Sequence, residues 1–573
     1  MLDCVLRGSR VVDGTGAPAR TADVAISSGR VVEVGRVAGS ARVEIDADGL
    51  VVCPGFVDPH THYDAQLFWD PYANPSSLHG VTSVIGGNCS FALAPIRAAD
   101  ADYTRRMMAR VEGMPLDALE QGLPWSWSSF GEYLGALDGR IAVNAGFIAG
   151  HSALRRYVLG ADANRRAATP DELARLRDAL DEALAAGALG FSTDISESHM
   201  DGDGAPIPAK GATPEERLAL CEVVGRREGT MLSGIFEGGS NGWSDFELDH
   251  LSQMSAVANR VLNWNLMVVD ASEPERARQQ LGLSHRARAR GGRIIALLMP
   301  VIVPMNMSFG SYCGLFLIPG WRETMALPPA ARRVALADPE TRRRLEATAT
   351  SPKAGMFRRL SDFAGYVIGD TYAPANAGLA GRTVRDIAAA RGVAPFDALL
   401  DVVLADELRT VLWPSAPDDD DAHWALRASL WDDPDILLAG SDAGAHLDRM
   451  CGGSYPTQFL ADCLRGRRMM SMERAIHEMS AKPAQLFGLR DRGVVAPGAF
   501  ADLVVFDPTS IAAAPARLVN DLPGGSARVT SDPIGMHHVF VNGVEIFRDG
   551  KHTGETPGTV LRSGRDTVTV TAR

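Results

Sequence analysis

The chain has 573 residues, a formal charge of −13, 46% hydrophobic residues and 22% charged ones. That length exceeds one ordinary core in an otherwise globular composition, so a large domain with a smaller one is expected. The acidic balance is spread along the chain and offers no concentrated basic surface, which argues against a nucleic-acid partner. Residues 1–50 read as small β structure, short apolar runs separated by Gly14, Gly16, Gly29 and Gly39. Such strands bury no core alone. A partner lies at the other end, where an apolar run over 501–506 follows Pro497-Gly498 and a hairpin turns at Asn542-Gly543. One small β-sandwich domain is therefore expected from residues 1–50 and 491–573, with a (β/α)8 TIM-like barrel over 51–490.

The barrel strands are expected at 51–57, 81–85, 142–148, 189–192, 231–236, 260–269, 293–303 and 436–439, mostly short apolar runs of the kind covered on both faces. Between them Pro170 opens a helical pattern over 172–186. The stretch of about 305–434 is too long for a simple connection and reads as an insertion or lid, with helices around 384–387 and 396–404.

Chemistry gathers at the strand ends. His60 and His62 follow the first run, and in extended backbone residues two apart share a side, so both imidazoles can meet one ion. Asp64 could orient one of them. Asp442, in Gly440-Ser441-Asp442-Ala443-Gly444-Ala445-His446, follows the last run, where a carboxylate can touch a metal and take a proton from its water. The plain alternative for Asp442 is an Asx turn. His446 could hold substrate or leaving group. Cys89, after the second run, could ligate zinc, although a cysteine after a buried strand is more often inert core. His151, after the third, could polarise a carbonyl, and Arg155 has forked donors suited to a substrate carboxylate. Both could equally be loop or helix-start contacts.

Taken together, Arg10–Gly16, Pro54–Gln66, Gly86–Ala92, Gly150-His151-Ser152-Ala153-Leu154-Arg155, Gly440–His446, Gly493–Phe506 and Val541-Asn542-Gly543 resemble the amidohydrolase superfamily, in its N-acyl-D-amino-acid deacylase branch. The resemblance implies a (β/α)8 barrel with a flanking β-sandwich and a zinc site that hydrolyses N-acyl amides. His60 and His62 would be first-strand ligands, Cys89 the metal-binding cysteine of the branch, and Asp442 the base that then acts as acid. The chain departs from the superfamily pattern at mid-barrel. No histidine stands on the fifth or sixth strand and no lysine on the fourth, the nearest being Lys210. Asp194, His199, Glu237 and Asn265 are the residues available to supplement the site, with His250 less well placed.

The expected function is metal-dependent hydrolysis of an amide C–N bond in a small molecule, foremost an N-acyl-amino acid, with one or two zinc ions. A cyclic-amide hydrolase or deaminase on the same fold, and a non-catalytic binding or scaffold protein with a degenerate site, are the rivals. No dinucleotide motif is present. Seven cysteines without a CxxC pair, no basic-then-apolar leader and no apolar run of membrane-spanning length lead to the expectation of a reduced, cytoplasmic protein. The oligomeric state stays open, a homo-oligomer included.

Overall fold

The apolar run over 51–57 is two strands, and its division sets the architecture. The computed structural model describes residues 1–573 apart from Ser198, Tyr312 and Pro417, and leaves aside the side chains of residues 240, 241, 355 and 356. Val51–Pro54 pairs antiparallel with Leu503–Phe506, whereas Phe56–Asp58 pairs parallel with Val81–Gly86. Gly55 makes the switch: a Cβ there would lie 2.2 Å from Thr82 Oγ1, so a larger residue would collide with the neighbouring strand.

Both ends of the chain build one sheet. Its strands run in the order Lys551–His552, Val544–Arg548, Met536–Val541, Leu503–Phe506, Val51–Pro54, Leu2–Val11, Arg20–Ser27, Arg30–Gly35, with Ala41–Asp46 also on Leu2–Val11. Asn542 and Gly543 both take positive φ, 49° and 77°, as a tight hairpin turn requires. Leu6, Val24, Ile26, Val52, Leu503, Val505 and Phe540 form the core of this small sandwich.

The other main strands form a four-stranded and a six-stranded sheet, both parallel and together of the TIM-like kind. Phe56–Asp58, Val81–Gly86, Asn144–Phe147 continuing as Ala149–Gly150, Gly190–Asp194, Met231–Ile235, Val261–Asn265, Arg293–Leu298 and Ile436–Leu438 pair in succession. The last strand's loop meets the first through the Thr61–Ala443 bridge, with His62 N–H on Ala443 O at 2.7 Å and Asp442 N–H on His60 O at 3.0 Å. Two strands are shorter than their apolar runs. Arg293–Leu298 pairs with a three-residue strand only over Ala296–Leu298, and Val261–Asn265 pairs no further than Asn265, so the remaining residues become loop. The helix Pro170–Ala186 starts with a Thr169/Glu172 capping box and Pro170 in its first turn.

Val57, Ile85, Ile148, Leu189, Met231, Val261, Ile295, Leu297 and Leu437 share an interior with Leu486, Phe487, Leu489 and Leu561. Burying each such side chain stabilises the fold by about 1.5–3 kcal/mol. Leu561 arrives from the far end of the chain, where Val560–Leu561 leaves the terminal sheet and pairs parallel with Ala145 and Gly146. Residues Ile302–Trp424 form a separate unit around Phe309, Trp321, Leu345, Phe363, Tyr366 and Phe396, with helices Val384–Arg391 and Pro395–Ala405. Among the described residues no helix is long and apolar enough to cross a membrane, and all seven cysteines are buried and unpaired.

Candidate active site

His60 and His62, 5% and 1% exposed, lie just beyond the first barrel strand. The parallel bridge to Ala443 holds this segment extended, so both rings turn toward Asp442. His62 Nε2 is 3.1 Å and His60 Nε2 3.4 Å from Asp442 Oδ1. Cys89 Sγ lies 3.7 Å from His60 Nε2, and Glu112 Oε2 is 3.5 Å from His62 Nε2. Two sets of donor atoms thus sit close enough to hold an ion, His60–His62–Cys89 and His62–Glu112–Asp442. On a tetrahedral ion with bonds of about 2.0–2.3 Å, donors stand about 3.3–3.6 Å apart. The separations here, 3.1 to 3.7 Å, are of that size. Two imidazoles, a thiol and two carboxylates are also the donor types of zinc-class ions. The residues fit a divalent metal cofactor.

Electrostatics agree with the geometry. Burial lowers the His62 pKa, favouring the neutral imidazole that a metal needs. Burial alone would push the Asp442 carboxyl up, but hydrogen bonds from His60 and His62 hold it well below the usual range. Burial, reinforced by Glu112, Asp442 and Asp194, pushes the Cys89 thiol well above its ordinary value, so thiolate forms there only against a cation. Cys89, Ser90, Asp442 and His446 all take left-handed backbone, with φ of 53°, 70°, 57° and 50°. Such strain in non-glycine residues concentrates at functional sites.

His446 borders this cluster, its Nε2 3.7 Å from Asp442 Oδ2 and its side chain 28% exposed. Asp194 is spent on Ser196 and on His199 Nδ1 at 2.6 Å, and the His199 ring packs on Phe91. Lys210 donates to the His199 carbonyl. Glu237 accepts from Glu197 N–H at 2.6 Å, and Asn265 donates to Ser233. None of Asp194, His199, Glu237 and Asn265 belongs to either donor set found among the described residues. His250, on the helix Asp245–Ala258, accepts from Arg217.

Three other residues singled out in the sequence take partners away from the cluster. His151 is fully buried with Nδ1 on Thr193 Oγ1 at 2.8 Å and Nε2 on Glu216 Oε1 at 3.0 Å, so neither nitrogen is left to polarise a carbonyl. Arg155 is equally buried and gives its donors to Glu216 and to the carbonyls of Ala163 and Arg166, leaving none for a substrate carboxylate. Asp64 accepts from Gly87 N–H at 3.1 Å and, among the described residues, bonds no histidine, so it holds the turn after the second strand. Sequence reasoning also missed Glu112, 3% exposed, which caps the C-terminal end of the helix Ala101–Val111. A signal was available. A carboxylate at a helix C-terminus opposes the macrodipole, and Gly113 follows it with φ 58°.

A largely buried His/Cys/carboxylate cluster at the strand ends of a TIM-like barrel is the arrangement of a metal-dependent hydrolase. The sequence profile of the amidohydrolase family matches residues 43–547. The D-aminoacylase of Alcaligenes xylosoxydans xylosoxydans is 28% identical, the match covering 98% of this chain and 97% of that protein. Two solved structures align at TM-score 0.64 over 98% of this chain and 100% of theirs. One, at 27% identity, is a D-aminoacylase with a binuclear metal center showing one-metal activation and second-metal attenuation. The other, at 25%, is the N-acyl-D-glutamate deacylase of Bordetella bronchiseptica, complexed with zinc and a phosphonate mimic of the tetrahedral intermediate. The chain belongs to the amidohydrolase family, in its D-aminoacylase branch, and is an enzyme acting on non-peptide C–N bonds.

Proposed function

We propose that the protein deacylates N-acyl-amino acids, releasing a carboxylic acid and the free amino acid, with zinc as its ion. The observation that carries this is the convergence of His60, His62 and Asp442 at the strand ends. The D configuration is supported by the substrates that the relatives' names give. When bound, the ion supplies an acidified water and a positive charge for the carbonyl oxygen. Asp442, kept ionised by the two histidines, takes the water's proton and passes it to the departing nitrogen. His446, on the exposed side of Asp442, meets the substrate and steadies the developing charge on oxygen. The buried, unpaired cysteines support a reducing compartment such as the cytoplasm.

The test is hydrolysis of N-acyl-D- and N-acyl-L-amino acids by zinc-loaded protein, beside cyclic amides. Turnover of cyclic amides alone would reject the deacylase reading in favour of a hydantoinase-like one. Asp442→Asn is expected to lower kcat by about 10²–10⁴-fold. Metal content measured on the same sample separates loss of the proton carrier from loss of the ion.

A further inference from the structure

We propose that the centre takes a single divalent ion and that Glu112, a residue outside every barrel strand, is one of its ligands; this rests on the metal-dependent reading above. Glu112 Oε2 stands 3.5 Å from His62 Nε2, and His62 in turn 3.1 Å from Asp442 Oδ1, both close to the donor spacing around one tetrahedral ion. The other carboxylate oxygen, Oε1, is buried with no hydrogen-bond partner among the described residues, a costly arrangement for an ionised group that the Arg449 charge does not offset against burial. The carboxylate is delivered there by a fixed turn. The Glu112 carbonyl accepts the His446 N–H. Gly113 takes φ 58°, a conformation that L side chains rarely adopt, and a Cβ there would crowd Arg449 Nη2 and lie 3.1 Å from His446 Cα, so glycine suits the point where the helix end lies against the last-strand loop.

The other flank argues against a second ion. On the fifth and sixth strands Ser233, Asn263 and Asn265 are linked in a hydrogen-bonded chain. Asn263 donates to Asn265 Oδ1 at 3.1 Å, Asn265 to Ser233 Oγ at 3.3 Å, and Ser233 to Asn88 Oδ1 at 3.2 Å. These are neutral amides and hydroxyls, poor donors for zinc-class ions beside imidazole and thiolate. Asp194 on the fourth strand is already held by Ser196 and His199. Where the D-aminoacylase relative has a binuclear center, this chain has one charged pocket and, beside it, a neutral polar wall.

The experiment strips the full-length protein with chelator and titrates it with Zn²⁺. Stoichiometry is read by elemental analysis and affinity by competition with a chromophoric chelator, for wild type, Glu112→Gln and Glu112→Ala. Expected are one equivalent in wild type and a loss of affinity in Glu112→Gln beyond the roughly 10–100-fold typical of a group that only orients a ligand. The metal-free Glu112→Gln protein should melt no lower than metal-free wild type, because the change removes a buried carboxylate from beside Asp442, whereas loss of a purely structural contact would lower it. Two equivalents in wild type, or one ion held by Glu112→Gln with unchanged affinity, overturns the proposal and leaves the metal-dependent reading standing. A wild type that takes up no ion rejects both.

Discussion

Replacing His60 and His62 together with alanine is expected to empty the centre of metal and to lower kcat/KM by about a thousandfold or more. The figure follows from the several kcal/mol that a Lewis-acidic ion contributes, each 1.36 kcal/mol being a factor of ten. The fold should survive. Both residues lie beyond the strand Phe56–Asp58, whose pairing with Val81–Gly86 does not involve their side chains. Elemental analysis and steady-state kinetics on one preparation check the result. Full activity in metal-free double mutant would reject the mechanism.

The second large effect is on stability. Arg155→Met is expected to destabilise the protein by about 3–5 kcal/mol, the usual cost of removing one partner from a buried ion pair. Glu216, 2% exposed, would keep His151 but lose the guanidinium that contacts both its oxygens at 2.6 and 2.5 Å. Denaturant melts read this directly. The pH dependence has a defined sign. Burial pushes the Glu216 carboxyl up, but His151 and Arg155 outweigh it and hold its pKa at about 2, below the ordinary value. A depressed carboxylate stabilises the fold above its unfolded pKa of about 4.3, and that contribution fades as pH falls toward 2. The variant should therefore show less of this acid-labile contribution and unfold at higher pH than wild type. A raised KM with unchanged stability would instead return Arg155 to the substrate.

What was legible in the sequence was whatever a single strand end carries. His60 and His62 are two apart after an apolar run, and Asp442 and Cys89 each follow another, so position alone marked them. What was illegible needed a partner far along the chain. The pairing of His151 and Arg155 with Glu216, 61 residues on from Arg155, is set by the helix Pro214–Gly225 packing beside the fourth strand. Glu112 comes from a helix end, outside the period-two logic that exposed the histidines. The break at Gly55 was hidden because Val51–Pro54 and Phe56–Asp58 are both buried on every residue, and hydrophobicity does not say which sheet receives them.

The strand Val560–Leu561 also imposes a schedule on biogenesis. Its partners Ala145 and Gly146 leave the ribosome more than four hundred residues earlier, which at 5–20 residues per second is a wait of roughly twenty to eighty seconds. Val51–Pro54 waits in the same way for Leu503–Phe506. Through that interval the nascent polypeptide carries unsatisfied strand edges and apolar surface, the features that recruit holding chaperones and nucleate aggregates. Unit 302–424, whose core is drawn from its own residues, has no such delay, so translation passes from an early half kept open, through an insertion able to mature at once, to a late segment on which completion of the terminal and the four-stranded sheets depends.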